Sequence, residues 1–150
     1  MRIIIQRVSQ AAVQVEGEAV GSINKGLLLL VGIENADTPG DVEWLVQKIV
    51  QMRIFSDAEG KMNLSLQDVG GEVLIISQFT LHAQTKKGNR PSFIKAAPPA
   101  VAIPLYELFI AKMQQADVKK VAQGIFGADM QVQLTNDGPV TIWIDSQQKE

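Results

Sequence analysis

The chain contains no cysteine and one histidine, His82, in 150 residues. The first absence excludes disulfides and thiolate-bound metals, and the second argues against a histidine-based zinc site or catalytic triad. No metal and no cofactor is therefore expected. Long hydrophobic runs are missing too. The N-terminal Met1-Arg2-Ile3-Ile4-Ile5 stretch is too short for a signal peptide or a membrane span, so a cytoplasmic protein without a membrane partner is expected. Nor does one sign of charge dominate: 14 Lys and Arg against 16 Asp and Glu give a net charge of -2. That balance argues against nucleic-acid binding over the whole surface, yet it permits a local basic patch. No repeat, linker or low-complexity tract divides residues 1–150, which suit one domain burying roughly two thirds of its unfolded surface.

What is present alternates between strand and helix patterns. Residues 3–15 alternate in hydropathy, Glu16-Gly17 supplies a hairpin turn, and residues 19–23 and 27–33 continue the pattern around Asn24-Lys25-Gly26, which predicts an antiparallel meander. Thr38 reads as an N-cap with Pro39 at the first helical position. Val42, Leu45, Val46, Ile49 and Val50 then follow helical spacing, giving a helix with one face on a sheet. Residues 56–60 read as a turn, Gly70-Gly71 as a break, and residues 85–99 as a long loop. A second helix puts Val101, Leu105, Leu108, Phe109 and Met113 on one face. It either begins near Pro104 or kinks there, because proline has no backbone N–H to donate.

Two segments carry chemistry. Residues 73–81, Val-Leu-Ile-Ile-Ser-Gln-Phe-Thr-Leu, form a core-strand run that ends in the polar groups of Ser77, Gln78 and Thr80. Those groups either face a substrate at the rim of the sheet or satisfy loop backbone. The second segment, Asn136-Asp137-Gly138-Pro139-Val140-Thr141, lies between strand-like residues 130–134 and 140–144 and reads as a turn. Its Gly-Pro step is the place to look for a cis peptide bond.

Ser77-Gln78-Phe79-Thr80-Leu81 and Asn136-x-Gly138-Pro139-x-Thr141 resemble the two signatures of the D-aminoacyl-tRNA deacylases. The likeness continues through Gln6-Arg7-Val8, Arg53-Ile54-Phe55-Ser56-Asp57, Gly60-Lys61-Met62-Asn63, Arg90-Pro91-Ser92-Phe93 and Phe126-Gly127-Ala128-Asp129-Met130. It implies an α/β single domain, with largely antiparallel sheets forming a barrel-like core and two main helices packed on it. It also implies hydrolysis of the ester in D-aminoacyl-tRNA, with glycyl-tRNA as a further substrate and L-aminoacyl-tRNA rejected.

In the same resemblance the catalytic segment is Ser77, Gln78, Phe79 and Thr80. The backbone N–H groups of Phe79 and Thr80 hold the oxyanion, Gln78 lines the pocket, and the ribose hydroxyl of the tRNA helps organise water. The residues themselves add that no histidine, lysine or carboxylate inside the motif serves Thr80 or Ser77 as a base. Phe126 stacks on the terminal adenine in this picture, while its plain reading is a core ring. Gly138 and Pro139 form a chiral filter that enters the site of a second subunit, so a homodimer is expected. Arg7 and Met130 are candidates for holding that element, although Arg7 equally suits an exposed strand position. Lys86, Lys87 and Arg90 follow the first motif closely and suit either tRNA phosphates or a solvated loop. The rivals are a nucleic-acid-binding relative without turnover, an interaction protein whose Gly-Pro loop only locks a dimer, and a relative acting on L-alanyl esters through a trans Gly138-Pro139 bond.

Overall fold

A computed structural model describes all 150 residues. The elements run β1 (Arg2–Val15), β2 (Glu18–Ile23), β3 (Gly26–Gly32), α1 (Pro39–Gln51), β4 (Phe55–Ser56), β5 (Met62–Leu64), β6 (Glu72–Ser77), a 3-10 turn (Phe79–His82), α2 (Pro99–Gln115), β7 (Lys120–Gln123) and β8 (Gln131–Asp145). Six strands form one mixed sheet, and β4 with β5 form a small separate hairpin.

The expected hairpin at Glu16-Gly17 is present, with both residues at positive φ. The expected meander is not. β2 pairs with the C-terminal half of β1, from Ala11 opposite Ile23 to Val15 opposite Glu18. β3 pairs with the N-terminal half, from Arg2 opposite Gly32 to Val8 opposite Gly26. Asn24-Lys25 is thus an offset within one return path and not a reversal. The Glu72 carboxylate holds it by accepting the Asn24 N–H at 2.8 Å.

β3, β6 and β7 are mutually parallel neighbours, so α1 and α2 are crossover helices. Burial explains the uninterrupted aliphatic runs of β3 and β6. Leu27, Leu29, Val31, Val73 and Ile75 face the core beneath the helices, while Leu28, Leu74 and Ile76 join Val8, Val13 and Ile23 in a second cluster on the other face. A strand buried on both faces has no polar side to show. Lys120 Nζ donates to Ser22 O at 2.6 Å, drawing β7 toward β2 and curling the sheet into a nearly closed barrel.

Helix α1 matches its prediction in start and buried face. The Asp41 carboxylate reaches back to the Thr38 N–H at 2.9 Å and hydroxyl at 2.8 Å, fixing the first turn. Helix α2 departs from expectation. It starts at Pro99 and continues through Pro104, whose missing N–H falls on the exposed side. Its buried face is Ala102, Leu105, Tyr106, Phe109, Ile110 and Met113, so Val101 is exposed and not core. The Met1 ammonium is fully buried against the Asp37 carboxylate and the Ser146 hydroxyl.

The largest correction concerns residues 130–144. They do not form two strands around a turn. β8 is one strand pairing with β1 from Gln131 opposite Gln14 to Asp145 opposite Arg2, and its register slips around Arg7. Asn136–Val140 is therefore a bulge, pushed outward from a strand that keeps its direction.

Candidate active site

A cavity of about 270 Å3 opens where β3 and β6 end, walled by Val31, Ile33, Ile76, Ser77, Gln78 and Phe79. Ala97 and Ala102 close it from the start of α2, and Phe126, Gly127, Ala128, Met130 and Val132 close it from the β7–β8 connection. The carboxyl ends of parallel strands are where open α/β sheets commonly hold ligands. None of the thirteen lining residues is ionisable.

Local bonding sets residues 77–80 at the lip. Gln78 N–H donates to Val31 O at 2.7 Å, ending β6 in register with β3. The chain then folds into the 3-10 turn, closed by Leu81 N–H to Gln78 O and Ala83 N–H to Thr80 O at 3.3 and 3.1 Å. The first N–H groups of a helical turn have no acceptor within it, so those of Phe79 and Thr80 are suited to an external oxygen. The Gln78 amide donates to the exposed Thr80 hydroxyl, and Ser77 is half-buried at the strand end. His82, the one histidine, lies fully buried inside the turn with neither ring nitrogen hydrogen-bonded.

Phe126 packs partly buried against the main core cluster. Its half-buried ring lines the cavity and tilts against Tyr106 at 5.6 Å between centroids. Burial raises the Tyr106 phenol well above its ordinary value of 10, and its hydroxyl donates to Ile75 O at 3.1 Å. Tyr106 is a neutral prop and not a base.

The Gly138–Pro139 bond is cis, and both residues are exposed. They are absent from the walls of the cavity in their own chain. Arg7 is buried to 8% exposure, and not an exposed strand residue. Its Nε donates to Asp137 O at 2.7 Å and its Nη1 to Ile54 O at 2.6 Å. Asn136 ties the other side: its Oδ1 accepts the Val140 N–H at 2.7 Å and its Nδ2 donates to Val140 O at 3.1 Å. Arg7 and Asn136 together hold the bulge from both flanks, while Met130 stands apart on the cavity wall. Asn136 belongs to the second motif, and an Asx residue two positions before a Gly-Pro step was the available signal for this role.

Lys86, Lys87 and Arg90 are exposed and make no ion pair. Lys119 and Lys120 belong elsewhere, because Lys119 lies 3.5 Å from Glu72 and Lys120 binds Ser22 O. The Asn24 N–H, with Lys119 nearby, lowers the Glu72 carboxyl below its ordinary 4.5.

The fold and site define a small barrel-like α/β protein with an apolar pocket, main-chain donors at its lip and no ionisable wall. The chain belongs to the D-Tyr-tRNA(Tyr) deacylase family, whose model matches residues 4–145. It is 61% identical over the full length of both chains to a D-aminoacyl-tRNA deacylase from Flavobacterium johnsoniae, and likewise to one from Akkermansia muciniphila. A solved structure named c-Myc DNA Unwinding Element Binding Protein is similar at a TM-score of 0.90 and 39% identity, covering 97% of this chain and 98% of that one. The fold is also that of a structure described as a probable eukaryotic D-amino acid tRNA deacylase, at a TM-score of 0.83 and 18% identity, over 95% and 97% of the two chains.

Proposed function

We infer that this protein hydrolyses the ester joining a D-amino acid to the terminal ribose of tRNA, releasing free tRNA and the free amino acid. Family membership supports the reaction class, and the cavity without an ionisable wall supports the way it is done. Water attacks the ester carbonyl, the bond to the ribose oxygen breaks, and that oxygen leaves as a hydroxyl. With no histidine, carboxylate or lysine on the wall, the base cannot be a lining side chain. The adjacent ribose 2'-hydroxyl organises the water, and the N–H groups of Phe79 and Thr80 hold the oxyanion as charge develops. Gln78 and Ser77 shape the lip, and Phe126 offers its ring to the terminal adenine.

Chirality is read by the Gly138-Pro139 backbone. Both residues are exposed, neither lines the cavity of its own chain, and Arg7 and Asn136 stiffen the bulge that bears them. A homodimer in which each bulge enters the partner's cavity accounts for all of this, with Met130 on the wall that receives it. L-residues are excluded by collision with main chain, which needs no particular side chain and leaves breadth among D-residues and glycine. Lys86, Lys87 and Arg90 meet phosphates of the tRNA. The whole chain acts as one domain, in the cytoplasm where aminoacyl-tRNA is made.

The resemblance to a protein named as a DNA binder favours a second reading, nucleic-acid binding without turnover. Deacylation by purified protein separates the two. D-tyrosyl-tRNA is expected to be cleaved, Thr80→Ala to slow cleavage without abolishing it, and an ester on a ribose lacking the 2'-hydroxyl to react very poorly. Abolition is judged against the roughly 100-fold or greater loss typical of one removed oxyanion donor, and Thr80→Ala leaves the main-chain donor in place. Full activity on the deoxy substrate contradicts the RNA-assisted mechanism, and no cleavage of any ester favours the binding protein.

A further inference from the structure

Between Glu72 and Glu107 the sequence contains no acidic residue, while it contains Lys86, Lys87, Arg90 and Lys95, in a chain whose net charge is -2. None of these four cations makes an ion pair. The segment is built. Gln84 and Ser92 exchange two backbone hydrogen bonds at 2.8 and 3.0 Å, closing the basic loop at its base. Ala97 N–H then donates to Ile33 O at 2.9 Å, anchoring the following turn on the cavity wall.

That turn, closed by Ala96 N–H to Phe93 O at 3.0 Å, carries apolar side chains where solubility alone would place none. Ile94 is 79% exposed and Phe79 is 57% exposed, and the Phe79 and Phe93 rings meet edge to face at 5.1 Å. Phe79 also lines the cavity. An exposed aromatic and aliphatic ledge at the mouth of a pocket, on the same segment of chain as four unpaired cations, is the combination that holds single-stranded nucleic acid. Rings take base faces, and cations take the phosphates.

We propose that Phe93 and Ile94, with the free face of Phe79, form a stacking platform for the unpaired bases next to the terminal nucleoside of the substrate's acceptor end, and that Lys86, Lys87, Arg90 and Lys95 take the intervening phosphates. The platform rests on the reading of the substrate as an aminoacylated RNA, and it extends the site beyond the pocket. The occupant is the substrate's own strand and not a second protein copy, because the unpaired cations of this segment call for an anion while the chain as a whole is acidic. Stacking on a ring is tolerant of base identity, so the platform serves many tRNAs alike.

The test compares two esters, D-tyrosyl-tRNA and D-tyrosyl-adenosine, with wild-type protein, Phe93→Leu and Ile94→Ser. Adenosine fills the pocket but has no neighbouring bases. Both variants are expected to raise KM for the tRNA ester roughly tenfold or more, with kcat little changed, and to leave hydrolysis of the adenosine ester as in wild type. Ile94 is solvent-facing, so its variant folds whatever happens at Phe93. Equal losses on both esters, no change on either, or a shift in sedimentation showing altered self-association would each overturn the platform. Wild-type protein that cleaves neither ester would instead overturn the reading of function on which it rests.

Discussion

Gly138 shows how much of the bulge is set by one missing side chain. Its φ of +154° is a conformation that side-chain-bearing residues seldom adopt, and a Cβ there would sit 2.7 Å from Val140 N and 2.8 Å from Val140 Cγ2. One of those contacts is backbone and cannot swing aside. Gly138→Ala is therefore expected to fold but to displace the bulge, lowering deacylation of D-alanyl-tRNA about 100-fold, the scale of a roughly 1 Å misplacement at a reacting centre. Steady-state rates beside a thermal unfolding curve check this, and an active Gly138→Ala would show the bulge to be uninvolved. Gly124 acts at the opposite wall. Its absent Cβ leaves room for the Met130 sulfur, which would lie 2.4 Å from it, and for Ile76 Cδ1 at 3.1 Å. Ile76 is locked in a central strand, so Gly124→Ala must drive Met130 into the cavity and raise KM. The double variant Gly124→Ala, Met130→Ala should recover much of the loss; a double variant as poor as the single one would mean that the backbone itself had moved.

At the scale of elements, the junction between β2, β3 and β6 depends on a charge. Glu72 is buried to 5% exposure and accepts the Asn24 N–H, which keeps its carboxyl below 4.5. A depressed folded-state value means that the stabilisation is present above the unfolded value and fades as pH falls through the folded one. Glu72→Gln should thus lower Tm at neutral pH, and the difference from wild type should shrink below pH 4.5; a constant gap across that range would refute the linkage. The elements also mark where the sequence was legible. Periodicity exposed α1 because its buried face follows from spacing alone, and the Glu16-Gly17 hairpin followed from local turn chemistry. The meander failed because nothing near Asn24 encodes that β2 and β3 share β1, a pairing fixed by distant residues. A start of α2 near Pro104 was the wrong alternative because Pro104 lies on the exposed side, where water can satisfy the carbonyl left unpaired by its missing N–H. Residues 136–141 carry the residues of a turn, and only pairing with β1 through Arg7 turns them into a bulge. Ser77, Gln78 and Phe79 of the first motif do line the cavity, while the sequence alone could not say that Gly138 and Pro139 are absent from the walls of their own chain's pocket.

On the scale of the whole molecule, the cavity and the Gly138-Pro139 bulge are two features that one chain does not bring together. The cavity lies at the ends of β3 and β6, and the bulge projects from β8 with Gly138 and Pro139 exposed. In the proposed homodimer each pocket receives the other copy's main chain, and discrimination is then steric. Such a filter senses where a side chain projects, and glycine has nothing to project. The most direct measurement is deacylation of glycyl-, D-alanyl- and L-alanyl-tRNA side by side at equal enzyme concentration. Steric exclusion by the Gly138-Pro139 backbone predicts that the glycyl and D-alanyl esters are cleaved and the L-alanyl ester survives. Cleavage of D-alanyl-tRNA with glycyl-tRNA spared at every enzyme concentration would show that the D-side chain is recognised by attraction, and would contradict it.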